Sequence, residues 1–212
     1  MKKEDKIKLI TSYFDEILPH AHCELNYEYD YQLVIAVMLS AQCTDKSVNN
    51  VTKELFFKYP SLESLANAQY EDVYNIIKRL GLATSKANNV IGISKGLLND
   101  FNGVVTNDIE KLMTLPGVGR KTASVVTGEL FNNEVIPVDT HVGRIAKRLG
   151  LASENDDPYT IELKLEKLIK GEKRMLFHHQ MIHFGRYYCS SKKPSCENCK
   201  LKEICKYYKK NN

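Results

Sequence analysis

Apolar positions along the chain recur at the three-and-four spacing of helices, and no stretch keeps the two-residue alternation of a strand. In "EDKIKLITSYFDEIL" (4–18), Ile7, Ile10, Phe14 and Ile17 fall on one stripe. "YQLVIAVMLSAQC" (31–43) is apolar nearly all round, which predicts a central, buried helix. Asp45 or Ser47 starts the next helix, which must end before Pro60. Ser61 reads as the N-cap of "SLESLANA", but Ser64 rather than a glutamate stands three residues on, so no full capping box is expected. Helices follow over 71–81, 85–101, 108–115 and 119–131; after the extended piece "NEVIPV", others cover 139–150, 158–170 and 173–189. The expected fold class is all-α.

Composition changes this picture little: 43% of the 212 residues are hydrophobic and 26% charged, as in ordinary globular chains. The longest purely apolar run, "LVIAVML" (33–39), is too short to span a bilayer, and "MKKEDKIKLI" lacks the apolar core of a signal peptide. A cytoplasmic protein without membrane contact is expected. Charge is more informative. Residues 171–212 hold ten Lys or Arg against three acids, while the rest of the chain holds 20 bases against 23 acids. A basic end on a near-neutral body suits a polyanion as well as it suits a merely solvated face.

"TLPGVGRKTASVV" (114–126) carries the first candidate chemistry. Its Gly-Arg-Lys-Thr looks like the end of a nucleotide-binding loop, but such a loop needs glycine directly before the lysine and a strand feeding it. Arg120 intervenes before Lys121, and a short helix precedes. "LPGVG" reads instead as a tight turn between helices: Pro116 stops the first, and Gly117 and Gly119 permit close backbone approach. Free amides at the start of the second helix then face outward, ready for a phosphate, and such a helix–hairpin–helix grips the DNA backbone without reading sequence. Lys121, in the first turn of that helix, is either another phosphate contact or a nucleophile. A lysine attacks carbon only as the free amine, which partial burial and a helix N-terminus both favour. Asp139, in "VIPVDTHVGR" (135–144), follows Pro137 as an N-cap. A capping carboxylate stays ionised and would stabilise the positive charge that develops as a glycosidic bond breaks.

Four of the six cysteines crowd into 17 residues, Cys189, Cys196, Cys199 and Cys205, as C-x6-C-x2-C-x5-C. Four thiolates in one loop predict a metal centre. Structural zinc sites usually use two C-x2-C pairs, and ferredoxin spacings also differ, so the metal stays open between zinc and an iron–sulfur cluster. Lys192 and Lys193 project from the loop between the first two cysteines, a placement suited to phosphate contact. Cys23 and Cys43 read as buried thiols, and His178, His179 and His183 as packing residues.

Taken together, "LPGVGRKTASVV", "VDTHVGRIAKRLGLA" (138–152), "HFGRYYC" and the cysteine loop resemble the endonuclease III family of base-excision-repair DNA glycosylases and AP lyases, over essentially the whole chain. The resemblance implies that Lys121 is the Schiff-base nucleophile, that Asp139 is the essential carboxylate and that the four cysteines bind a 4Fe–4S cluster. It implies a six-helix helix–hairpin–helix domain over 22–133, and a cluster domain made from 1–21 plus 134–212, with its loop at 189–205. "LSAQCTD" (39–45) and "GLATSKA" (81–87) match two segments that enter the duplex, with Gln42 filling the gap left by the extruded nucleotide and Leu82 as wedge. Arg120 and His141 join the expected DNA contacts. The backbone carbonyls of Met113, Leu115 and Val118 match positions that hold a monovalent cation in related hairpins. Ala83 and Thr84 depart from the family's usual Tyr-Asn, and Gly143 from its usual Phe.

The implied activity is excision of oxidised pyrimidines from double-stranded DNA, followed by strand cleavage at the abasic site, by a monomer associated with the nucleoid. Two rivals remain at this level. One is a monofunctional glycosylase for adenine or mismatched thymine; those relatives lack the lysine, and the adenine enzymes carry glutamate where Ala36 lies. The other is a non-catalytic DNA-binding module that uses the hairpin and the basic loop alone.

Overall fold

The structure, a computed structural model, describes residues 3–211. Among the described residues every regular element is helical, and no helix is long and apolar enough to cross a membrane. The chain forms two compact units, residues 24–133 and residues 1–23 with 134–212.

The first unit is organised around α2 (Asp30–Leu39), in which every residue from Gln32 to Leu39 is buried. A helix without a polar face has to be enclosed, and α3 (Asp45–Lys58), α6 (Ala83–Phe101) and α8 (Arg120–Phe131) enclose it. Its start is held by the Gln32 side chain, whose oxygen accepts from the Glu28 amide at 2.8 Å. Two short helices, α4 (Leu62–Ala66) and α5 (Tyr70–Ile77), pack against α6. At the head of α4, Ser64 closes a reciprocal capping box that its sequence was not expected to form. The Ser61 amide donates to Ser64 Oγ at 3.1 Å, and the Ser64 amide donates to Ser61 Oγ at 3.2 Å. A serine hydroxyl reaches as well as a glutamate here because the turn is tight.

The hairpin consists of α7 (Ile109–Leu112), the turn 113–119 and α8. It seats on α6 through two glycines one helical turn apart. A Cβ on Gly92 would lie 2.6 Å from Pro116 Cγ, and one on Gly96 would strike the Leu115 side chain. Gly117 sits at φ +75°, in the left-handed region, with Asn89 of α6 directly over the place a Cβ would occupy. The turn is therefore moulded onto one face of α6.

The second unit joins α1 (Lys3–Ile17) to α9 (Thr140–Arg148), α10 (Pro158–Glu166), α11 (Arg174–His183) and α12 (Lys206–Asn211). The α1 stripe enters its core as the spacing predicts: Ile10 and Phe14 are fully buried, and Phe14 meets the rings of Phe177 and Phe184 at 5.7 and 5.0 Å. The predicted helix over 173–189 changes hand-rail at Phe184. There the chain widens into one π turn, Phe184–Tyr188, closed by the Cys189 amide donating to the Phe184 carbonyl at 2.7 Å. Cys23 and Cys43, expected to be buried, are each only half-buried, because both lie in connections outside the helices.

Replacing Gly117 by alanine combines left-handed strain with overlap on Asn89, and should cost about 1–3 kcal/mol of stability by denaturant unfolding. Gly92→Ala should likewise destabilise. Gly81→Ala, where nothing lies within 4 Å of a new Cβ, should change stability by no more than about 0.5 kcal/mol.

Candidate functional site

Lys121 is the second residue of α8 and is half-buried. The N-cap of that helix is Gly119, which has no side chain to offer, so the first-turn amides stay available to an anion. Gly117 and Gly119 are exposed at the turn, as a backbone-gripping loop requires. Arg120 is half-buried and stands 3.7 Å from the Glu110 carboxylate, a long and weak ion pair that a phosphate can displace. Met113 is partly exposed, while Leu115 and Val118 are buried; the Leu115 carbonyl accepts from the Val118 amide at 3.1 Å and closes the turn.

Two other turns of the same unit present side chains in an unusual way. Gln42 has φ 57° and Leu82 has φ 62°, so each holds a left-handed backbone that costs a residue with a side chain about 1–2 kcal/mol. Both are exposed, Leu82 at 56%. The left-handed Gln42 comes just after α2, which ends at Leu39, four residues short of the predicted end; Leu82 immediately precedes α6. An apolar side chain held out into solvent on a strained backbone is poorly explained by packing and well suited to insertion between bases.

Asp139 lies in the other unit and caps α9, its Oδ1 accepting from the Val142 amide at 2.7 Å. His141 is half-buried in the first turn of that helix. Burial pushes the imidazole below its usual range, Arg144 and Arg186 push the same way, and Asp139 pulls against them. Arg144 Nη2 stands 3.3 Å from His141 Nδ1.

Farther along α9, Arg144 and Arg148 clamp the start of the cysteine loop. Arg144 donates to the carbonyls of Gly185 (2.8 Å) and Cys189 (3.2 Å). Arg148, buried to 8% exposure, donates to the carbonyls of Ser190 (2.8 Å) and Ser191 (2.9 Å) and to Cys189 Sγ (3.1 Å). Neither arginine was singled out from the sequence, although their four-residue spacing on one helix was there to be read. Lys192 and Lys193 follow, exposed, on backbone that Ser190 ties: its Oγ accepts from the Lys193 amide and donates to the Lys193 carbonyl. The four cysteines line one cavity of about 220 Å³, with Tyr13, Phe184 and Tyr207 among its walls. Burial pushes the Cys196 and Cys199 thiols up, and the neighbouring thiols, Cys189 first among them, push the same way. Among the described residues no three His, Cys, Asp or Glu side chains converge closely enough to hold a single ion.

A family model described as HhH-GPD superfamily base excision DNA repair protein matches residues 35–171. The chain is 41% identical to endonuclease III of Bacillus subtilis over 95% of its own length and 92% of that protein's. It is 39% identical to endonuclease III of Escherichia coli over 99% of each. The solved structure of a trapped endonuclease III–DNA covalent intermediate, an estranged-adenine complex, is similar with a TM-score of 0.95 at 41% identity, covering 99% of each chain. On this identity over nearly the full length of both chains, together with the family-model match, the chain belongs to the endonuclease III family of HhH-GPD base-excision DNA repair proteins.

Proposed function

We propose that this chain is a DNA glycosylase and AP lyase that removes oxidised pyrimidines, such as thymine glycol, from double-stranded DNA, with Lys121 as its nucleophile. The observation that carries the reading is the half-buried Lys121 in the uncapped first turn of α8, directly after the hairpin turn. That a covalent intermediate with DNA has been trapped for a 41% identical relative supports it. The hairpin amides and Arg120 hold phosphates, and the carbonyls of Met113, Leu115 and Val118 would hold a monovalent cation. Gln42 and Leu82 enter the stack as the damaged nucleotide leaves it.

In the chemical step the Lys121 amine attacks C1′ while the C1′–N bond to the base breaks, and the departing base takes up a proton. The helix-capping carboxylate of Asp139 stabilises the positive charge that develops at the sugar. The C1′–O4′ bond then breaks, O4′ takes up a proton, and a protonated Schiff base remains between Nζ and C1′. A C2′ proton is then lost to solvent, the C3′–O bond breaks and the 3′ phosphate leaves; water finally hydrolyses the imine and frees the lysine. His141 contacts a phosphate or the lesion through its ring.

Cys189, Cys196, Cys199 and Cys205 would hold a 4Fe–4S cluster. All four line one cavity of about 220 Å³, which leaves room for a cluster. When bound, the cluster supplies a rigid four-point tether and a one-electron couple. The Arg144 and Arg148 clamp keeps the loop in place, so that Lys192 and Lys193 meet the DNA backbone as fixed charges. The enzyme works as a monomer on DNA.

Borohydride reduction of the protein mixed with a thymine glycol duplex should yield a covalent protein–DNA band that Lys121→Gln abolishes. Alkali-labile sites without a band would indicate a monofunctional enzyme, and neither product on any damaged duplex would leave a binding module. Protein purified without oxygen should contain iron and acid-labile sulfide in a four-to-four ratio per chain, and Cys199→Ser should lose both; one zinc per chain would overturn the cluster assignment. Removing the charges of Lys192 and Lys193 together should weaken binding alike on all sequences. It should also lower the magnitude of the slope of log affinity against log salt by about 2.

A further inference from the structure

Lys86 stands in the polar stretch "TSKANN", yet only 3% of it is exposed. It lies in the first turn of α6, and its two ends reach the left-handed turns at Leu82 and Gln42. Its backbone amide donates to the Leu82 carbonyl at 3.0 Å, beside Ser85 Oγ, which donates to the same oxygen at 3.0 Å. Its side chain runs to the other turn, where Nζ donates to the Ala41 carbonyl at 2.7 Å and to Cys43 Sγ at 3.2 Å. Ala41 and Cys43 are the two neighbours of Gln42.

We infer that Lys86 is a positioning residue that couples the Gln42 and Leu82 turns, so that both side chains meet the duplex in one fixed arrangement. The inference rests on the reading, proposed above, that those two residues enter the base stack. A left-handed peptide at Gln42 relaxes to extended backbone only by swinging its flanking groups, and the Lys86 amine holds one on each side. A buried amine gives up such bonds reluctantly, because no water replaces them. Lys86 belongs to the helix that Leu82 begins, so the same residue sets the spacing between the wedge and the gap-filler. Two insertions that would each lose freedom on their own become a single pre-organised one.

The test compares Lys86→Met, which keeps the aliphatic stem and removes the donors, with the unaltered protein and with a Gln42→Ala, Leu82→Ala double variant. Three readouts apply. The first is the affinity ratio for a duplex carrying a tetrahydrofuran abasic analogue over the same duplex undamaged. The second is the fluorescence of 2-aminopurine placed opposite the analogue. The third is borohydride trapping on a single-stranded abasic oligonucleotide, which has no stack to hold open. Lys86→Met should lose about tenfold or more of the affinity ratio and most of the 2-aminopurine signal, as mispositioning of a site does. Its trapping on the single strand should match the unaltered protein, and Lys86→Arg should restore part of the duplex behaviour.

If Lys86→Met keeps the full ratio while the double variant loses it, the inference is overturned and the insertion reading stands. If the double variant also keeps it, the insertion reading falls and takes the inference with it. Equal loss on single strand and duplex would mean that Lys86 serves only stability, which also overturns the inference. Should Lys86→Met fail to fold by circular dichroism, Cys43→Ala, which removes one of the two acceptors, carries the same comparison with a smaller expected loss.

Discussion

The closeness of α6 to the turn 113–119 is the constraint on which the 24–133 unit depends. Gly92 and Gly96 let Pro116 and Leu115 come within reach of the helix backbone, and Asn89 covers Gly117 at the next turn toward the N-terminus. One turn farther along the same helix stands Lys86, whose amine reaches the Gln42 turn, and Leu82 immediately precedes the helix. The hairpin and the turns at Leu82 and Gln42 therefore share one rigid reference. A site that must grip a backbone and open a stack at once needs such a reference, because errors between separately mounted parts add.

The 1–23 and 134–212 unit solves a comparable problem with α9. Its first residue follows the carboxylate cap Asp139, and its last turns carry Arg144 and Arg148, which hold the Cys189–Ser191 backbone. A nine-residue helix so joins a carboxylate at one end to a four-cysteine loop at the other. Arginine suits this post better than lysine: its planar fork serves several carbonyls at once, and Arg148 also lies 4.1 Å from the Tyr207 ring centroid.

Much of this was legible in the sequence because helices announce themselves by period. The stripe of Ile7, Ile10 and Phe14, the all-round apolar α2 and the Asp139 cap all correspond to local rules that tertiary context did not override. The hairpin and the cysteine spacing were legible for a different reason, as constellations few other folds use. What escaped has no local signature. Left-handed backbone at Gln42 and Leu82 is invisible because neither residue is Gly or Asn, the residues whose presence usually signals it. Lys86 sits in "TSKANN", among polar residues, and its burial is decided by a turn 45 positions away. The Ser61–Ser64 box escaped because hydroxyl reach depends on how tight the turn becomes. The π turn before Cys189 depends on one extra residue accommodated in the helix, which periodicity averages away.

The discontinuity of the second unit has a consequence for how the protein comes to exist. The partners of Ile10 and Phe14 within that unit begin only at Ile136 and extend to Phe177, Phe184 and Leu201. During synthesis α1 therefore leaves the ribosome with its apolar stripe unpartnered, while residues 24–133 can complete a core of their own. Closure of the late unit waits for almost the same length of chain as emergence of Cys205. Final folding of the ends and assembly of the four-cysteine site are thus one late event, and a nascent chain stalled before it exposes the α1 stripe to chaperones.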